Sequence, residues 1–139
     1  MYLLDTNIVS ELRKGTKADS NVLSWAKAVS TSSLFLSIIT ILEIEAEILQ
    51  KERKDPSQGA MLRSWLNSHV LPSFSNRILN IDVAVALSCA KLHIPDPCSE
   101  RDALIAATSL VHGFILVTRN IKDFKKTAVK LLNPWEIAT

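Results

Sequence analysis

The sequence predicts an α/β fold, with a central, mostly parallel twisted sheet of about five short strands, flanking helices and a protruding helix hairpin. Apolar, β-rich runs of strand length alternate with helix-period patterns along the chain. A parallel return between strands needs a crossover, and the intervening patterns supply helices to make it. The 139 residues, 47% of them apolar, suffice for one hydrophobic core, so a single domain over 1–139 is expected.

Tyr2 to Leu4 reads as the first strand, and Asp5-Thr6-Asn7 as the polar turn that ends it; Asp5 can cap the short apolar pattern that follows. Val22, Trp25, Ala26 and Val29 recur at i, i+3, i+4 and i+7 behind the cap Asp19-Ser20, which predicts a helix. Leu34 to Ile38 is the second strand. After Thr40, the stripe Ile41, Ile44, Ile48 and Leu49 predicts a helix to Lys54. Asp55-Pro56-Ser57-Gln58 then offers a cap, a proline at the first helical position and a capping-box partner. The helix it starts, through Met61, Leu62, Trp65, Leu66 and His69, completes a hairpin. Ile78 to Ile81 is the third strand, and Asp82 caps a helix through Val83, Leu87 and Ala90. Ser99 caps another through Asp102, Ile105, Ala106 and Ser109 that stops at Gly113. Phe114 to Thr118 and Val129 to Leu132 close the sheet.

No apolar stretch approaches the roughly 20 residues that span a bilayer. Met1 to Asp5 has neither the basic region nor the apolar run of a signal peptide. Cys89 sits in a helical pattern and Cys98 beside prolines, which suggests neither a disulfide framework nor a zinc knuckle. A reducing cytoplasm, away from membranes, is the expected location. The net charge of +2 excludes little, but its distribution says more. With Asp5, Glu43, Asp102 and Asp123 set aside, 10 acids face 16 Lys and Arg, so a basic surface around an acidic hole is possible. Arg13, Lys14 and Lys17 form one basic group, Lys51, Arg53 and Lys54 a second, and Lys122, Lys125, Lys126 and Lys130 a third. Each group also reads as solvated helix ends and loops.

In parallel sheets the ligand crevice lies beyond the carboxyl ends of the strands. That rule selects Asp5 after the first strand, Glu43 opening the helix after the second, and Asn120 and Asp123 after the fourth. Asp102, in the first turn of its own helix, is expected at the same edge. Clustered carboxylates raise one another's pKa unless a cation compensates. An all-oxygen set favours Mg²⁺ or Mn²⁺, which can activate water and offset charge on a phosphodiester. Thr6, Thr118 and Asn120 are candidates to orient the acids. Local readings stand beside these: Thr40-Ile41-Leu42-Glu43 and Ser99-Glu100-Arg101-Asp102 both match a capping box, and Asp123 can cap a turn before Phe124. His69, His93 and His112 read as surface or capping residues, and Trp25, Trp65 and Trp135 as core or interface anchors.

Four segments in order, from Leu3-Leu4-Asp5-Thr6-Asn7 through Ser37 to Ile44, Asp102 to Thr108 and Leu116 to Phe124, together resemble the PIN-domain family over nearly the whole chain. Leu131-Leu132-Asn133-Pro134-Trp135 extends the likeness to VapC-type toxins of the FitB-like branch. The resemblance implies a PIN-like fold and a Mg²⁺- or Mn²⁺-dependent endoribonuclease. It also implies a homodimer, held in check by a small antitoxin that also binds operator DNA. Asp5, Glu43, Asp102 and Asp123 are carried over as metal-binding and catalytic acids, with Thr6, Thr118 and Asn120 as supports. Glu47 departs from the pattern, standing four positions after the second acid where a small residue is common. A housekeeping PIN nuclease without an antitoxin and a non-catalytic RNA- or protein-binding module are the alternatives.

Overall fold

The computed structural model describes residues 1–136 and places the first strand at the centre of the sheet. The strands are β1 (Tyr2–Leu4), β2 (Leu34–Ser37), β3 (Ile78–Leu79), β4 (Ile115–Val117) and β5 (Leu131–Leu132). They run in the order β3-β2-β1-β4-β5, and every pairing is parallel. Leu4 lies opposite Leu36 on one side and Val117 on the other. Chain order reverses at β1, which opens a crevice between the carboxyl ends of β1 and β4.

Both faces of β1 are covered, and for that reason its residues read as continuously apolar rather than alternating. Leu4 packs with Leu36, Val117, Ile44, Ile48 and Leu62 on one face. Leu3 packs with Leu116, Ile105, Ala106 and Phe124 on the other. The first face is covered by α1 (Thr6–Leu12), α2 (Ser20–Ala28), α3 (Ile38–Lys54) and α4 (Pro56–Trp65). α4 runs through a π turn at Leu66–Val70 into the short α5 (Leu71–Ser73). The second face carries α7 (Glu100–His112) and α8 (Ile121–Phe124), and α6 (Val83–Leu92) packs on α7 through Val85, Cys89, Ala103 and Ala107.

Several expected caps form. Asp19 accepts from the N–H groups of Asn21 and Val22 at 2.9 and 3.2 Å, Asp55 from Gln58 at 3.2 Å, and Asp82 from Val85 at 2.9 Å. Gly113, at φ 68°, closes α7 in the left-handed conformation. Two capping boxes do not form. Ser37, expected within a strand, caps α3 itself by accepting from Ile39 N–H at 3.0 Å, so α3 starts before Thr40 and Glu43 falls in its second turn. Glu43 therefore does not open its helix. Ser99 makes no side-chain capping bond to α7.

The hairpin of α3 and α4 protrudes only at its tip, where Arg53 to Gln58 are exposed; its base is core. Arg63 holds the pair together by donating to Glu45 Oε2 at 2.7 Å and Glu52 Oε1 at 3.2 Å. Gly59 lets the helices touch, since a Cβ there would lie 2.6 Å from Glu52 Cα. Alanine improves helix propensity by about 1 kcal/mol, but overpacking against main chain costs about 1–3 kcal/mol. Gly59→Ala is therefore expected to lower the melting temperature by a few degrees, and a rise in a thermal melt would contradict this packing. Among the described residues no helix is long and apolar enough to cross a membrane, and Cys89 and Cys98 are free thiols.

Candidate functional site

Asp5 leaves the central strand at the crevice, with its backbone N–H donating to Val117 C=O at 2.9 Å. It is 6% exposed, so its carboxylate must be satisfied by protein groups. Thr118 Oγ1 donates to Asp5 Oδ2 at 2.8 Å, and Thr6 N–H to Asp5 Oδ1 at 2.8 Å, the latter making Asp5 the cap of α1. Asn7 Nδ2 adds a longer bond to Oδ2 at 3.3 Å. Thr118 is itself buried and accepts from Asn120 N–H at 3.0 Å and Asn7 Nδ2 at 3.3 Å.

The second turn of α3 brings Glu43 to the same place. Thr6 Oγ1 donates to Glu43 Oε1 at 2.7 Å, and the buried Thr40 hydroxyl lies 3.1 Å from Thr6 Oγ1. One threonine thus reaches the second acid while its backbone N–H holds the first. Arg101 approaches Glu43 at 3.9 Å. Asp102, in the first turn of α7, lines a cleft of about 450 Å³ together with Asp5 and Glu43 and with Glu11, which is tied to Lys14 and Asp19 N–H.

Asp123 stands apart. It is exposed in α8 and lines two neighbouring depressions, one of them shared with Asp102. Asn120 precedes α8 without a side-chain cap bond, and its contribution to the network is its backbone N–H. Glu47 is exposed and does not line the cleft, while Glu45 is tied to Arg63.

Burial pushes the Asp5 carboxyl above the usual carboxylate range; the Thr118 and Thr6 bonds oppose this, and Glu43 and Asp123 add repulsion. Burial also raises Asp102, helped by repulsion from Asp5, Asp123 and Glu43. The repulsion acting on Asp5 and Asp102 is the condition that draws in a cation.

Among the described residues no three His, Cys, Asp or Glu side chains gather tightly enough to cage a metal ion. A cage is not what the donor set calls for. Mg²⁺ keeps several waters and binds through one or two carboxylates plus substrate phosphate, and these hard oxygens fit that habit.

Arg13 and Lys14, of the first basic group, line the cleft as that grouping suggested, whereas the sequence did not single out Asn7, Glu11, Arg119 or Trp135 as cleft residues. Asn7 stood beside Asp5 in the turn, a signal available but unused. Trp135 packs against the first core face as an anchor and also borders the cleft. Trp25 is a core residue, stacked edge-on to Tyr2 with centroids 5.3 Å apart. His69 and His112 are exposed, and His93 ends α6, accepting from Cys98 N–H at 3.2 Å.

Thr118→Val is isosteric but deletes the hydroxyl that donates to Asp5. Loss of such a supporting group typically lowers metal affinity or activity roughly 10- to 100-fold. We expect that loss in cleavage assays with Thr118→Val and recovery with Thr118→Ser; equal activity of the Val variant would remove Thr118 from the machinery.

The PIN domain family matches residues 2–130. The chain is 33% identical over 143 residues to "VapC ribonuclease Y4jK" of Sinorhizobium fredii, covering 99% of this chain and 100% of that protein. The crystal structure of FitAcB from Neisseria gonorrhoeae superimposes with a TM-score of 0.88 at 28% identity, covering 99% of this chain and 100% of that one. A toxin–antitoxin complex from Klebsiella pneumoniae superimposes with a TM-score of 0.68 at 26% identity, covering 99% and 100%.

Proposed function

We propose, for a chain that belongs to the PIN-domain family, that it is an endoribonuclease acting as the toxin of a toxin–antitoxin pair. One observation carries the reading: Asp5, Glu43 and Asp102 share a cleft at the point where the sheet order reverses, in a chain 33% identical to a VapC ribonuclease. The relatives favour the toxin over a housekeeping nuclease, because a toxin–antitoxin complex shares the fold over nearly the full length of both chains. A small antitoxin is the protein partner we infer, with operator DNA as that antitoxin's ligand and a homodimer as the assembled form.

In this mechanism Asp5, Glu43 and Asp102 would hold Mg²⁺ or Mn²⁺ directly or through its waters, with Asp123, on the neighbouring depression, as the fourth acid. When bound, the metal supplies charge for the phosphate oxygens and lowers the pKa of water. The chain's own residues do the positioning. Thr118 and Thr6 N–H hold the Asp5 carboxylate by its two oxygens, and Thr6 Oγ1 holds Glu43, so the acids are oriented before substrate arrives. Water attacks the phosphorus and its proton passes to a carboxylate of the cleft, while the P–O bond to the leaving ribose breaks and the ribose oxygen takes up a proton from solvent.

The test maps cut sites on total RNA with Mg²⁺ or Mn²⁺ present, beside a chelator control. Discrete cuts that vanish with chelator are expected. Cleavage that survives the chelator would overturn the metal, and no cleavage under any divalent ion would overturn the ribonuclease.

A further inference from the structure

The cations around the carboxylate cleft are held in two different ways. Lys14 is neutralised by Glu11 at 2.9 Å, and Arg101 leans toward Glu43 at 3.9 Å. Arg13 and Arg119 are exposed, line the same cleft as Asp5, Glu43 and Asp102, and among the described residues form no ion pair with a carboxylate within 4.0 Å. Each lies over a tryptophan ring instead. The Arg13 guanidinium is 5.7 Å from the Trp65 centroid and that of Arg119 is 5.1 Å from Trp135. An aromatic face orients a guanidinium without cancelling its charge, whereas a carboxylate partner would do both.

The two supports come from different elements and are themselves fixed. Trp65 ends α4 and packs against the first core face. Trp135 donates its backbone N–H to Asn133 Oδ1 at 3.0 Å and accepts at its C=O from Asn21 Nδ2 at 2.9 Å. Arg119 donates its backbone N–H to Asn7 Oδ1 at 3.3 Å, which links it to the residue that bonds Asp5. The cleft is lined by four carboxylates, of which Glu11 is paired with Lys14, and such a cleft repels a polyanion unless further positive charge lies beside it.

Resting on the ribonuclease reading, we propose that Arg13 and Arg119 form a two-armed clamp for RNA backbone phosphates, with Trp65 and Trp135 as positioning residues. Phosphate contacts carry no sequence information, so any single strand reports on them. The probe is a labelled single-stranded oligoribonucleotide, bound to the full chain carrying Asp5→Asn, with Mg²⁺ present and salt varied. Each phosphate contact on a single strand contributes about 0.7 to the slope of log affinity against log salt. Arg13→Gln and Arg119→Gln should each weaken binding several-fold and lower the slope by about 0.7, and the double variant by twice that. Arg119→Lys should keep the slope. Trp135→Leu, at an unchanged melting temperature, should weaken binding with the slope intact, and Trp135→Phe should restore it. Unchanged slopes in both Gln variants overturn the clamp while leaving the ribonuclease reading standing; those arginines would then serve another partner. A parent chain that does not bind the probe at all overturns both.

Discussion

Asp5→Asn is expected to abolish RNA cleavage and growth arrest while the protein stays folded. The loss should exceed the roughly 100-fold that removal of a supporting group brings, because this change removes a proposed ligand itself. The fold should tolerate it, since the Asn oxygen can still accept from the Thr118 hydroxyl and Asn7 Nδ2, at the expense of the bond from Thr6 N–H. Removing a buried charge also lifts a desolvation cost, so the melting temperature should hold or rise. Paired cleavage assays and thermal melts decide it: full activity would take Asp5 out of the centre, and a collapsed melt would make its role structural.

Phe124→Ala should produce the largest loss of stability. Phe124 is 1% exposed and packs on the second face with Leu3, Leu116 and Ile105. Truncating a buried Phe costs about 3–5 kcal/mol, a large share of the about 5–15 kcal/mol that holds a domain together. It anchors a four-residue helix that also carries Asp123, so the proposed fourth acid should lose its position as well. Denaturant unfolding should show a large drop in midpoint with little change in slope. Phe124→Leu should recover most of it, because the apolar volume is largely kept. A near-native midpoint for the Ala variant would mean that α8 is dispensable to the core.

Much of the fold was legible because its signals are short-range. Asp19, Asp55 and Asp82 cap helices through bonds to N–H groups two or three residues away, and Gly113 ends one through its own φ. Where two local solutions competed, the sequence pointed to the wrong one. Ser37 and Thr40 can each start α3, and the structure uses Ser37 because Thr40 is buried beside Thr6, a residue 34 positions away. The capping-box readings of Glu43 and Asp102 lapse for the same kind of reason, since neither helix start is closed by the box.

The sequence by itself determined the order of strands and helices, the apolar faces and the choice of four acids, three after strands and Asp102 in the first turn of its own helix, all written in periodicities and caps that span a few residues. Tertiary structure alone decided that β1 lies between β2 and β4, and that Asp5, Glu43 and Asp102 line one cleft while Asp123 lines its neighbours. It also set Arg13 and Arg119 on tryptophans 52 and 16 residues downstream along the chain. The physical reason is range: a cap or a stripe is satisfied within one turn, whereas convergence depends on register and packing between segments a hundred residues apart.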